Sequence, residues 1–144
     1  APAFEAVDQD GNMKTLADYR GRKLILYFYP KDNTPGCTAE ACSLRDGRDT
    51  LRRMGFEVVG VSPDSEKSHQ GFIAKQGLNF TLLADTDKKI AEAYGVWGEK
   101  KFMGRTFMGI LRTTFVIDEQ GVIEKIFDKV RTKDHFEQIV EAYQ

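Results

Sequence analysis

Cysteine and histidine are scarce in this 144-residue sequence, two of each, and both cysteines, Cys37 and Cys42, fall in one short stretch. Two cysteines cannot staple a domain of this size, so the chain has to fold on a hydrophobic core rather than on a disulfide framework. Their C-x-x-x-x-C spacing, with no histidine or second cysteine pair beside it, is not zinc-ligand spacing, so no metal and no cofactor is expected. An excess of one charge is missing too. Lysine and arginine total 21 against 22 aspartate and glutamate, a formal charge of −1 that leaves no broad basic field for nucleic acid or anionic lipid. No apolar run approaches the roughly 18 residues of a membrane span, and no basic segment followed by an apolar core stands at the start. Neither nucleic acid nor membrane is an expected partner, there is no sign of export, and the expected compartment is cytoplasmic. Repeats and low-complexity segments are absent, and 41% hydrophobic with 30% charged residues suits one globular domain over residues 1–144.

What is present is concentrated between Leu24 and Cys42, LILYFYPKDNTPGCTAEAC. The apolar run reads as a buried strand, and Pro30 ends it by removing a ladder donor. A polar turn, Lys31-Asp32-Asn33, leads to Thr34-Pro35-Gly36-Cys37, where threonine suits a helix N-cap and proline the first helical position. Cys37 then lies in the first turn of a helix, where unpaired N–H groups and the helix dipole favour a thiolate, the nucleophilic form. Most free cysteines are merely small buried hydrophobes, but here strand, turn, cap and cysteine arrive in the order that suits a reactive one. Cys42 follows on the same helix, its Cα about 8.7 Å from that of Cys37 and about 140° round the axis. A disulfide needs its Cα atoms within roughly 7 Å, so the thiols can pair only if the first turns unwind.

The rest of the chain alternates. Phe4 to Lys14, with turn residues Asp8 to Asn12, reads as an N-terminal hairpin covering a sheet edge. The first helix should end near Met54-Gly55, followed by a strand from Phe56 to Val61, a helix capped by Asp64 or Ser65 and running to Gly77, a strand from Thr81 to Ala84 and a short helix from Lys88 to Tyr94. Glycines 95, 98, 104 and 109 break up a segment read as a loop or irregular ribbon. Thr113 to Ile117 and Val122 to Phe127 form a hairpin, and Thr132 should cap a final helix to Tyr143. Strand and helix in alternation argue an α/β layered fold. His69 and His135 are placed on exposed helical faces, with no catalytic role. Glu99-Lys100-Lys101 reads as solvated surface, while Trp97, Phe102 and Met103 are either ordinary packing or a collar for an apolar substrate.

Pro30, Thr34 and Cys37 form the P-x-x-x-T-x-x-C pattern that resembles the peroxiredoxins, and Glu40-Ala41-Cys42 adds the second cysteine at the spacing of the bacterioferritin comigratory protein or peroxiredoxin Q group. The likeness continues through Tyr27-Phe28-Tyr29, Ser43 to Asp46 and Arg112 to Asp118, and covers effectively the whole chain. It implies a thioredoxin-like fold, a central mixed β-sheet flanked by helices with an N-terminal hairpin. It implies a peroxidase of the atypical two-cysteine kind, reducing hydrogen peroxide and organic hydroperoxides, with Cys37 as nucleophile and Cys42 as resolving thiol. Thr34 would bond the thiolate or peroxide, Pro30 shield the pocket, and Arg112 stabilise both thiolate and oxyanion. Glu40, on nearly the same helical face as Cys37, should be paired, and Arg112 is the expected partner. Thioredoxin, or a glutaredoxin, is the implied reductant, and a monomer the implied state. A few residues of lead-in before Ala1 are also expected from the likeness. Two other readings stay open: an oxidoreductase for protein disulfides, which would usually carry C-x-x-C, and a redox sensor or holdase without turnover.

Overall fold

The computed structural model describes residues 1–144. Strand β3, Lys23–Phe28, is the axis of the molecule, and its alternation decides where everything else packs. Ile25 and Tyr27, with Tyr29 just beyond the strand, point to one face, while Leu24, Leu26 and Phe28 point to the other. Each set is covered, so β3 reads as a continuous apolar run rather than an alternating one.

Beside β3 lie β4, Phe56–Ser62, and β5, Thr81–Ala84, both parallel to it in turn; on its other side β8, Thr113–Ile117, runs antiparallel to β3, and β9, Ile123–Phe127, antiparallel to β8. The five strands stand in the order β5-β4-β3-β8-β9, a mixed sheet. The first face is covered by helices α1, Pro35–Arg53, α2, Glu66–Gln76, and α4, His135–Glu141, through Ala41, Leu44, Leu51, Phe72 and Ile139. The second is covered by the short α3, Lys89–Ala93, the residues after it and Phe4.

Strands β1, Glu5–Val7, and β2, Met13–Thr15, form the expected N-terminal hairpin. It lies against the β5 edge: Asp8 bridges to Leu83, and the Gln9 side chain accepts from the Leu82 amide at 3.2 Å. Helix α1 begins at Pro35, as its sequence predicts, and Ser65 caps α2 by accepting from the Ser68 amide. Gly77 closes α2 at φ +63°, a conformation that favours glycine.

Three details differ from the sequence reading. Residues 97–110, read as a loop or irregular ribbon, are a ribbon, and a regular antiparallel one, β6, Trp97–Phe102, with β7, Arg105–Ile110. Its turn uses Met103 and Gly104, both at positive φ, and its two glycines Gly98 and Gly109 face each other across the ladder. Thr34 stands at the N-cap position of α1, but its hydroxyl donates to the Lys31 carbonyl at 2.8 Å instead of accepting from the helix. Thr132 opens a 3₁₀ turn, and α4 proper starts only at His135.

Candidate active site

Cys37 sits in the first turn of α1, nearly inaccessible at 2% exposure, at the sheet end where β3 gives way to the turn of residues 30–34. Arg112, in the connection just before β8, reaches it: Nη2 donates to the Cys37 sulfur at 3.3 Å, and Nη1 donates to Glu40 Oε1 at 2.6 Å. One guanidinium thus joins a thiol and a carboxylate from the same helix. Gly36 leaves the guanidinium room, since a Cβ there would stand 3.3 Å from Nη2, a tight contact. β8 pairs antiparallel with β3, and that register brings a residue 75 positions downstream of Cys37 beside it.

Glu40 is fully buried, and its second oxygen Oε2 has no hydrogen-bond partner. Burial pushes its carboxyl up to about 7, although the Arg112 charge pulls the other way. Burial also works against the Arg112 charge, but Glu40 and Cys37 outweigh it and hold the guanidinium above its ordinary value. His135 Nε2 lies 3.8 Å from Glu40 Oε2. Burial drives His135 down to about 4, and the Arg112 and Arg131 charges add to that.

Both histidines correct the sequence reading, since neither is exposed. His135 Nδ1 meets Gln138 Oε1 at 2.9 Å and Nε2 meets Thr114 Oγ1 at 2.8 Å. His69 meets the Asp32 carboxylate at 2.7 Å and the Leu83 carbonyl at 2.9 Å. A helix-face pattern could not show partners that lie 37 and 21 residues away in sequence.

Asp32 is the hub beneath the turn that carries Pro30 and Thr34. It accepts from the Tyr29 hydroxyl, Ser68 Oγ and His69, and its own amide donates to Asp64. Burial raises its carboxyl, but the His69 and Tyr29 bonds outweigh that and lower it overall. Asp32, Asp64 and His69 could in principle converge on a cation, yet each is already engaged within this network.

Of the other expected residues, Pro30 is half-buried, two residues past the end of β3, and Thr34 is turned to Lys31 rather than to the sulfur. Cys42 is free, half-buried and turned to the other side of α1, 3.7 Å from Gln76 Oε1. Phe102 and Met103 stand exposed at the ribbon tip and line no cavity with Arg112. The cavity that does contain Arg112, about 790 Å³, has apolar walls from Val96, Leu111, Phe115, Ile126 and Val130, and it also holds Lys100. Lys100 is half-buried, unlike its exposed neighbours Glu99 and Lys101, which corrects its reading as plain surface.

A buried thiol held by a guanidinium that can also receive an oxyanion, on a mixed sheet flanked by helices, defines a thiol-based redox enzyme. Residues 1–126 match the AhpC/TSA family. Peroxiredoxin Bcp of Escherichia coli is 47% identical over 97% of this chain and 90% of its own length, and Peroxiredoxin Bcp of Bacillus subtilis is 46% identical over 100% and 90%. Among solved structures, the bacterioferritin comigratory protein of Xanthomonas campestris, studied for its alkyl peroxide reduction activity, superposes with a TM-score of 0.90 at 35% identity, over 96% of this chain and 88% of that one. The chain belongs to the AhpC/TSA family, in its Bcp peroxiredoxin branch. It is a thiol peroxidase on a thioredoxin-like fold.

Proposed function

We propose that this protein, as one domain over residues 1–144, reduces hydrogen peroxide and organic hydroperoxides to water and alcohols through Cys37. The Cys37 thiolate attacks the outer peroxide oxygen and becomes a sulfenic acid. Cys42 then condenses with it, releasing water and closing an intramolecular disulfide. A thioredoxin, or failing that a glutaredoxin, returns both thiols, and the enzyme works as a cytoplasmic monomer in antioxidant defence.

The observation that carries this reading is the Arg112 guanidinium shared between Cys37 at 3.3 Å and Glu40 at 2.6 Å. A permanent cation at that point would stabilise the starting thiolate and the oxyanion charge that develops as the peroxide bond breaks. Glu40 fixes the orientation of that cation. Pro30 screens the site, and Thr34 needs only to turn its hydroxyl from Lys31 to bond the peroxide. Because an intact helix holds the two cysteines about 8.7 Å apart, resolution requires the first turns of α1 to unwind.

The test is the reaction of the fully reduced protein with one equivalent of hydrogen peroxide, followed by thiol capping and intact mass. Loss of two hydrogens with both thiols uncappable, far faster than an ordinary thiol reacts, is expected. A fast reaction that adds oxygen and leaves Cys42 cappable would remove the resolving role, and a rate like that of free cysteine would remove Cys37 as the peroxidatic residue.

A further inference from the structure

When a thiolate takes the outer oxygen of R–O–O–H, an S–O bond forms and the O–O bond breaks. Sulfur loses two electrons, and the departing RO⁻ needs a proton to leave as alcohol. Arg112 can hold that negative charge, but a guanidinium does not release its protons. Besides water and the Thr34 hydroxyl, the groups placed to supply that proton are those facing the cavity that Arg112 lines, next to the guanidinium that holds Cys37.

The titratable groups there are Tyr94, Lys100, Asp128 and Lys129. The Tyr94 hydroxyl is turned away, donating to the Pro2 carbonyl at 2.8 Å. Asp128 and Lys129 are exposed on the outer rim. Lys100 is different in three respects. It takes part in none of the molecule's ion pairs. It is half-buried, although the ribbon around it is mostly exposed. Its stem is also aimed: Lys100 pairs with Phe107, and its Cδ lies over Gly109, 2.9 Å from where a Cβ on that glycine would stand. Gly109 is closer to the ribbon base than Phe107, so the side chain runs back across β7 toward Leu111 and Arg112.

We propose that Lys100 is the general acid of peroxide reduction, delivering a proton from its ammonium group to the alkoxide that leaves when Cys37 attacks. The neutral amine then regains a proton from water through the open cavity. Burial, aided by repulsion from Arg112, lowers the hold of Lys100 on its proton, while the Cys37 charge opposes this. This inference rests on Cys37 being the peroxidatic residue.

The experiment compares leaving groups. Second-order rate constants for the reduced protein are measured by stopped flow with tert-butyl hydroperoxide, whose alkoxide needs a proton, and with peracetic acid, whose acetate does not. Lys100→Met and Lys100→Gln should slow the first reaction by roughly 100-fold, at the low end of general acid catalysis, and the second by no more than about two-fold. Lys100→Arg, which keeps the charge but cannot give up its proton, should not restore the first. Equal losses with both oxidants, no loss with either, or recovery in Lys100→Arg would overturn the assignment. Cys37→Ser separates the two readings: full peroxidase activity in that variant removes the reading of Cys37. An inactive Cys37→Ser together with leaving-group-independent lysine variants removes the role of Lys100 alone.

Discussion

Glu40 has one carboxylate oxygen on Arg112 and the other, fully buried, facing His135 at 3.8 Å without a hydrogen bond. The two groups respond to pH in opposite senses. Glu40 is raised from 4.5 to about 7, so between those values the native state binds more protons than the unfolded chain, and stability falls as pH rises. His135 is lowered from 6.5 to about 4, so over that window the unfolded chain binds more protons, and stability climbs with pH. The trends offset each other where they overlap. Urea midpoints measured across the overlap should therefore rise more steeply with pH in Glu40→Gln than in the parent, and should fall with pH in His135→Asn. The same slopes in all three proteins would show that the pair does not titrate as described. The Glu40 partnership was legible from its offset to Cys37, because a carboxylate beside a thiolate needs a cation. Nothing in a local pattern marked His135 as its other neighbour, because that contact depends on how α4 docks on α1.

Between helices, packing is set by the smallest side chains. Gly47 of α1 accepts the ring of Phe136 from α4, and a Cβ there would fall 2.0 Å from Phe136 Cδ1. Gly47→Ala should cost about 1–3 kcal/mol by overpacking, read as a lowered denaturation midpoint with unchanged slope, despite the better helix propensity of alanine. The unwinding proposed for α1 would meet an anchor just past Cys42. Past Cys42, Arg45 donates to the Gln76 carbonyl at 2.5 Å, and its own carbonyl accepts from Asn79. In the disulfide form, amide hydrogen exchange should be fast for residues 38–42 and still protected from Leu44 onward. Protection retained from 38 to 42 would mean that the disulfide forms without melting the helix. Most elements could be read from the sequence because their periods and caps are local: the β3 run, Pro35 at the start of α1, Ser65 and Gly77 around α2. The regularity of the β6 and β7 ribbon could not, since a loop reads as an equal alternative. The ribbon's glycines look like breaks in sequence, whereas in space two of them face each other and a third makes the turn.

The sheet divides the whole molecule into two apolar layers, and only one of them contains Cys37. Leu44, in the cysteine layer, and Ile117, in the other, are both essentially inaccessible. Truncating either to alanine should cost about 2–5 kcal/mol. Peroxide reactivity should drop in Leu44→Ala and stay near that of the parent in Ile117→Ala, under conditions where both are folded. The layered plan itself was legible from strand and helix alternation, but which residues share a layer with the thiol follows from the order β5-β4-β3-β8-β9, which no short-range signal contains. That order has a consequence for the protein's birth. Cys37 and Arg112 are 75 residues apart in the chain, and at ~5–20 residues per second a ribosome needs about 4–15 s to join them. Throughout that interval the nascent chain carries its cysteine without the arginine that completes the site. On the role proposed for Arg112, peroxide chemistry at Cys37 has to wait until β8 has been made and has docked beside β3, so the activity arrives with the fold rather than with the cysteine.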